Sequence, residues 1–313
     1  MPEMQRYRGI AGVDPWPDLP LAAWKDTYDT LHMWTQIIGK VRLALAPMMN
    51  HWWQVPLYVT CYGLTTSSIP YGQRVFSIDF DFIDHRLSIH AGEGVSVGFP
   101  LMPCSVADFY REVMDRLRSL GIDVQIWSMP VEIPNPVPFE EDHGHASYDR
   151  EYANRFWRIL VQSDRLLTAF RANFVGKASP VQFFWGTFDL SLTLFSGRSA
   201  PKRPGPPNII EDEAYTHEEA SFGFWPGGNG IDGPAYYAYG YPEPPGYAMA
   251  PVKPSAAFYS AALREFILPY EAVARSAAPD AALNDFLCST YEAEANLARW
   301  DRASLERPRR ASP

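Results

Sequence analysis

The chain has 313 residues, of which 47% are hydrophobic, 14% aromatic and 20% charged; this suffices for a packed core and is too varied for a disordered, collagen-like or coiled-coil chain. Its 27 basic against 36 acidic residues leave a formal charge of −9, which argues against a nucleic-acid partner, because phosphate recognition needs clustered Lys and Arg in excess. Three scattered cysteines, Cys61, Cys104 and Cys288, form no CxxC pair, so neither a disulfide framework nor a thiolate zinc site is expected and a reducing compartment fits. The opening MPEMQRYRGIAGVDPW lacks the apolar stretch of a signal peptide, and no window reaches the roughly eighteen apolar residues of a membrane span. A cytoplasmic protein without a membrane partner is expected.

Along the chain, Leu31, Trp34, Ile38, Val41 and Leu45 recur at helical spacing, and the helix ends near Pro47, before a strand in VPLYVTCYGLTT, Val55 to Thr66. VFSIDFDFI from Val75, RLSIH from Arg86 and VSVGF from Val95 read as further strands, and ADFYREVMDRL from Ala107 as a helix. A proline-rich acidic linker covers Met129 to Asp149. A second helix follows on Phe156, Ile159, Leu160, Leu166, Leu167, Phe170 and Phe174, then a strand in VQFFWGTFDLSL from Val181 to Leu192. The loop SGRSAPKRPGPPNIIEDEAY is too long for an ordinary connection and lies across the surface or covers a site. ASFGFW from Ala220 and AYYAYGY from Ala235 read as strands, AAFYSAALREF from Ala256 as a helix, and Ala281 to Trp300 as a docked helix bearing Leu283, Phe286, Leu287 and Tyr291 on one face. RPRRASP reads as a frayed tail.

Compared with itself, the chain carries a weak internal duplication: Trp34 matches Trp157, Arg42 and Leu43 match Arg165 and Leu166, and Val55 onward aligns with Val181 onward without a gap. ADFYREVMDRL and AAFYSAALREF then correspond. The fold expected is α+β, two fused, diverged α-β-β-β-β-α repeats whose antiparallel strands form a curved sheet or barrel-like layer with helices packed outside. The divisions are a first repeat with its extension over 1–128, the linker 129–149, a second repeat over 150–275, and a C-terminal helix and tail over 276–313.

Candidate chemistry follows from this layout. In SIDFDFIDH, Asp79 and Asp81 share one face about 7 Å apart, suited to an acid and base pair or to two cation ligands, and equally to the wet face of a half-buried sheet. Asp189 falls in a run apolar on both faces, where a carboxylate needs a donor or a ligand. His51, beside Trp52 and Trp53, and His217 stand at boundaries before strands, as proton-transfer groups or as packing residues. Trp53, Trp185, Trp225, Tyr58 and Tyr237 are candidate walls for an organic ligand. His143 and His145 in EEDHGHASYD have chelating spacing but lack a third ligand and sit in what reads as a solvated acidic loop. Cys61 reads as a small buried hydrophobe, and Cys104 as a thiol whose thiolate a helix terminus favours. GFWPGGNGIDG precedes no helix, and no nucleophile elbow, HExxH or kinase set occurs.

The strings NHWWQVPLYVT, GLTTSSIPYG, FDFIDHRL, MPVEIPNPVPF, FFWGTFDL and GFWPGG together resemble an uncharacterised bacterial family, domain of unknown function five-nine-nine-six, from about Trp24 to Trp300. The resemblance implies a self-contained bacterial protein and brings no reaction, cofactor or site residue. On the residues alone, the expectation is an enzyme acting on a small organic substrate by carboxylate and histidine acid–base chemistry in an aromatic pocket between the repeats. The alternatives are a non-catalytic small-molecule binder and a metal-dependent enzyme using the His143/His145 loop. No cofactor is called for.

Overall fold

A computed structural model describes residues 14–308, apart from Glu93, Pro204 and Asn229. Most of the opening segment and residues 309–313 of the tail therefore lie outside the described residues. The first helix, α1 (Leu21–Leu45), is buried on nearly every side from Trp24 to Arg42. A helix so enclosed must satisfy its polar side chains internally. Gln36 donates to Val131 O and accepts from Val131 N, at 2.8 and 2.9 Å. Lys40 Nζ donates to Met129 O at 2.7 Å. The expected linker is thus an extended strap bound along α1, with Phe139 fully buried.

After a short turn at Asn50–Trp52, six strands form the first sheet: β1 (Tyr58–Val59), β2 (Gly63–Thr65), β3 (Ile69–Tyr71), β4 (Arg74–Asp81), β5 (Arg86–Ala91) and β6 (Ser96–Pro100). The order is β1-β2-β4-β5-β6, antiparallel throughout, with β3 also on β4. Alternation along β4 and β5 sends Phe76, Ile78, Phe80, Leu87 and Ile89 into the core. They meet α2 (Val106–Ser119), where Phe109 stacks on Trp34 at 4.5 Å. Ser105 caps α2 by accepting from Asp108 N.

Helix α3 (Arg150–Arg171), capped by Asp149, leads into β7 (Gln182–Phe184) and β8 (Asp189–Ser199). Then come α4 (Ile209–Ala214), β9 (His217–Trp225), β10 (Ala235–Tyr241), β11 (Phe258–Ser260), β12 (Glu265–Pro269), α5 (Tyr270–Ala274), α6 (Pro279–Leu297) and α7 (Arg302–Leu305). The second sheet runs β11-β12-β10-β9-β8-β7, again antiparallel. Phe170 of α3 packs edge-on against Phe222 at 5.2 Å, and Ser163 Oγ bonds Tyr236 OH at 2.9 Å, so this face meets the helices. Leu57 and Phe183 link the sheets by exchanging N–H···O bonds of 2.8 and 2.7 Å. One apolar cluster crosses both halves.

Several expectations are corrected. Both sheets are open, and each has six strands rather than about four. AAFYSAALREF is the hairpin of β11 and β12, not a helix: Arg264 turns the chain at a φ of 62°, and Ile267 and Phe266 pair with Tyr237 and Ala238. Tertiary pairing overrides the helical propensity of its alanines. VPLYVTCYGLTT and VQFFWGTFDLSL are each hairpins, the second turning at Phe188 with a φ of 59°. Arg307 of the expected frayed tail is fastened, its N–H bonding Asn173 O and its Nε bonding Ala172 O, both at 2.8 Å. Cys61 is exposed. Burial, with Asp108 and Glu112 nearby, pushes the Cys104 thiol up to about 11, opposite to the expected activation. No helix among the described residues is long and apolar enough to cross a membrane.

Candidate functional site

The second sheet turns Leu190, Leu192, Phe222, Phe224 and Tyr236 toward the helices, so the period of two sends Asp189, Ser191, Glu219, Ser221, Tyr237 and Tyr239 to the opposite face. On that face Gly223 lies opposite both Ser191 and Tyr237. A Cβ at Gly223 would meet the Tyr237 ring at 2.3 Å, so the missing side chain lets Tyr237 lie across β9. Tyr237 stacks on Tyr239 at 6.1 Å, and Tyr239 OH meets Tyr215 OH at 3.1 Å. A polar and aromatic seam with two chemically distinct ends results.

At one end the turn after α1 holds His51 and Trp52 in successive left-handed conformations, with φ of 56° and 59°. Such backbone is costly for residues with a Cβ and persists where surrounding contacts fix it. Here α4 supplies them: Glu213 Oε1 accepts from His51 N at 3.0 Å, Ala214 O accepts from His51 Nδ1 at 2.8 Å, and Ile210 O accepts from Trp52 Nε1 at 3.1 Å. A carbonyl only accepts, so Nδ1 carries the hydrogen and Nε2 keeps its lone pair. That lone pair faces Lys177 Nζ at 2.6 Å.

The Lys177 amine lies over Phe195 at 4.7 Å and Trp53 at 5.6 Å, and the His217 ring is 5.7 Å from that of His51. Burial lowers the pKa of His51, and Lys177 and His217 lower it further. Burial also lowers that of Lys177, against the charges of Glu219 and Glu213. Glu219, 4% exposed, is pushed up to about 8 by burial despite the opposing charges of Arg203 and Lys177. An imidazole that stays neutral, a discharged acid and a weakened ammonium therefore meet where the first half of the chain touches the second.

At the other end Asp189, 5% exposed, accepts from Thr187 Oγ1 and Tyr237 OH. Burial raises its pKa to about 6 against the pull of those two bonds. Burial and the Asp189 charge push Glu265 up to about 8, and Glu265 Oε2 and Trp225 Nε1 are buried without hydrogen-bond partners among the described residues. Trp225 lies 5.1 Å from Tyr237.

The remaining candidates stand elsewhere. Asp79, 6% exposed on the first sheet, faces His90 Nε2 at 3.3 Å. Asp81 Oδ1 accepts from Ile83 N and Asp84 N at 2.8 Å each, which closes the β4–β5 turn. Trp185 donates to Val55 O at 2.9 Å and packs on Gly39 of α1, and Tyr58 lies under the Arg42 guanidinium at 5.2 Å. His145 Nδ1 bonds Asp142 Oδ2 at 2.7 Å beside the start of α2, while His143 is exposed. Among the described residues no three His, Cys, Asp or Glu side chains converge as a metal site. A cavity of about 840 Å³ between α3, α6 and α7 is lined by Arg302, Glu306, Tyr291 and Cys288, and none of the candidates borders it. Its Arg302, Glu306 and Tyr291 already bond one another, which leaves them committed to structure.

The structure thus brings together His51, His217 and Trp53, and separately Asp189, Tyr237 and Trp225. Sequence reasoning passed over Lys177, Glu219 and the α4 contacts. Glu219 was discoverable, because a strand beginning at His217 places residues 217 and 219 on one face. Lys177 was not, since a single lysine in FVGKASP gives no local sign of a partner 126 residues away. Residues 16–307 match the family of unknown function DUF5996. Neither a curated protein nor a solved structure matches the chain.

Proposed function

The chain belongs to DUF5996, a family without an assigned function, and on that footing we propose that it is an enzyme performing acid–base chemistry on a small organic substrate at the His51 end of the seam. The observation that carries this reading is the 2.6 Å contact between Lys177 Nζ and His51 Nε2, with the other imidazole nitrogen tied to Ala214 O. His51 Nε2 is the base, Glu219 the proton donor, and Trp53, backed by the buried Phe195, the wall for the apolar part of the substrate. His217 adjusts the charge next to His51. The strap that carries α4 shifts to admit the substrate, which agrees with α4 having six residues and none of them buried. Asp189 and Tyr237 hold the far end of the seam in place.

Two features of the wider reading belong here. The alignment of Val55 with Val181 also sets Leu57 on Phe183, and a reciprocal bond between equivalent residues is what a contact astride a twofold axis has. It supports an origin by duplication, with the site where the halves meet. The three free cysteines suit a reducing cytoplasm.

The test is a turnover screen of small organic esters, amides, aldehydes and hydroxy acids with the parent protein, His51→Gln and Glu219→Gln. The expected result is turnover by the parent that falls by about 10²-fold or more in His51→Gln while thermal stability stays close to parental. Ligands that bind parent and His51→Gln alike, with no turnover by either, would instead make it a non-catalytic binder.

A further inference from the structure

The chain has five lysines, and their partners separate one from the rest. Lys25 pairs with Asp29, Lys202 with Asp212 at 3.4 Å, and Lys40 is buried with its amine on Met129 O. Lys253 has no ion pair among the described residues. Lys177 is half-buried, so small molecules can reach it, and its one hydrogen-bond partner is the lone pair of a neutral imidazole. No carboxylate lies within ion-pair distance of it among the described residues. An ammonium held this way has a base to take its proton, and the carboxylates that favour its charged form, Glu219 and Glu213, act from beyond ion-pair distance. The faces of Phe195 and Trp53 flank the nitrogen; Phe195 is 1% exposed, and the half-buried Trp53 presents the face that suits a flat organic group.

We propose that Lys177 is a nucleophile that condenses with the carbonyl carbon of an aldehyde or ketone substrate to form an imine. This rests on the acid–base reading of the same site and names its substrate class. His51 Nε2 takes one proton from the Lys177 ammonium, and the freed nitrogen pair forms a bond to the carbonyl carbon. The carbonyl π pair moves to oxygen, which takes that proton from the His51 imidazolium. The carbinolamine nitrogen gives up a second proton, its pair forms the C=N bond, and the hydroxyl, protonated by imidazolium, departs as water. Lysine ammonium and carbonyl thus give a protonated imine and water, with no oxidant or reductant. His51 is the group that moves both protons, and the locked Nδ1 keeps its Nε2 on the Lys177 side throughout.

The experiment is reductive trapping on the full chain near neutral pH. Benzaldehyde and sodium cyanoborohydride are added to the parent, His51→Gln, Lys177→Arg and Trp53→Ala, and benzylated lysines are located by peptide mass mapping. Lys177 is expected to be modified at least about tenfold faster than Lys25, Lys202 or Lys253, with Lys40 protected, and His51→Gln is expected to lower the Lys177 rate about tenfold. Trp53→Ala, which leaves both nitrogens in place, is expected to weaken saturation by benzaldehyde without abolishing labelling. Labelling of Lys177 no faster than that of the exposed lysines, or unchanged in His51→Gln, overturns the imine. If Lys177 stays unlabelled while the parent turns over a substrate without a carbonyl in a His51-dependent way, the imine is wrong and the acid–base reading stands. Labelling of Lys177 in a protein that turns nothing over retains the nucleophile and removes the wider reading.

Discussion

Leu57 and Phe183 exchange two backbone hydrogen bonds and are both fully buried, so the two open sheets meet through one reciprocal pair inside a shared core. The halves therefore lose their packing together. Leu57→Ala is expected to cost about 2–5 kcal/mol by leaving a cavity at this junction. In urea, tryptophan fluorescence and far-ultraviolet dichroism should report one coincident transition for parent and variant, whereas separate transitions would mean that the halves unfold independently.

Gly39 gives a second expectation, opposite in sign to helix propensity. In an isolated helix, alanine in place of glycine stabilises by about 1 kcal/mol. At this position a Cβ would lie 2.1 Å from Trp185 Nε1, inside the indole that donates to Val55 O. Overpacking of this kind costs about 1–3 kcal/mol and here also loosens that bond, so Gly39→Ala should be net destabilising by urea titration.

Two buried groups should give opposite pH signatures in overlapping windows, which the variants tell apart. Burial raises Asp189 to about 6, so the folded protein holds a proton that the unfolded chain has released, and stability falls as pH rises from the ordinary aspartate range to about 6. Asp189→Asn removes that decline and should gain on the parent with rising pH, by up to about 3 kcal/mol. Burial lowers His32 to about 4 while its Nε2 faces Trp185 O and Gly186 O at 3.0 and 2.9 Å. The unfolded chain then binds the extra proton, so stability is lost as pH falls from the ordinary histidine range toward 4, and His32→Asn should flatten that limb. Urea midpoints of parent and both variants at about pH 5 and pH 7 separate the two contributions.

The α4 strap offers a dynamic test. Trp52 Nε1 on Ile210 O is one of three bonds that fasten a six-residue helix over His51. Trp52→Phe removes it and keeps a ring, so amide exchange across Ile210–Tyr215 should speed by about fivefold, the equivalent of one hydrogen bond. Unchanged exchange would show that the strap is held elsewhere.

The legible parts of the fold were those with a strong period. Leu31, Trp34, Ile38 and Val41 marked α1, and Phe76, Ile78 and Phe80 marked β4 and its inner face. One missed turn is built of residues that are themselves core. Trp185 and Phe188 are 6% and 0% exposed, so the β7–β8 turn looked like uninterrupted strand. AAFYSAALREF misled for a related reason, because its alanines favour a helix until β10 offers Phe266 and Ile267 a partner. At the candidate site, the aromatic surroundings of His51 and the strand position of His217 were visible. Their meeting with Lys177 joins residues 126 apart, which no local spacing encodes.

The most direct test of the account is ¹⁵N NMR of the His51 ring as a function of pH in the parent and in Lys177→Met. The expected result is a neutral ring with hydrogen on Nδ1 at neutral pH, protonating below the ordinary histidine range and at a higher pH once the Lys177 charge is removed. A ring with hydrogen on Nε2, or one titrating at the ordinary value and indifferent to Lys177→Met, would contradict it.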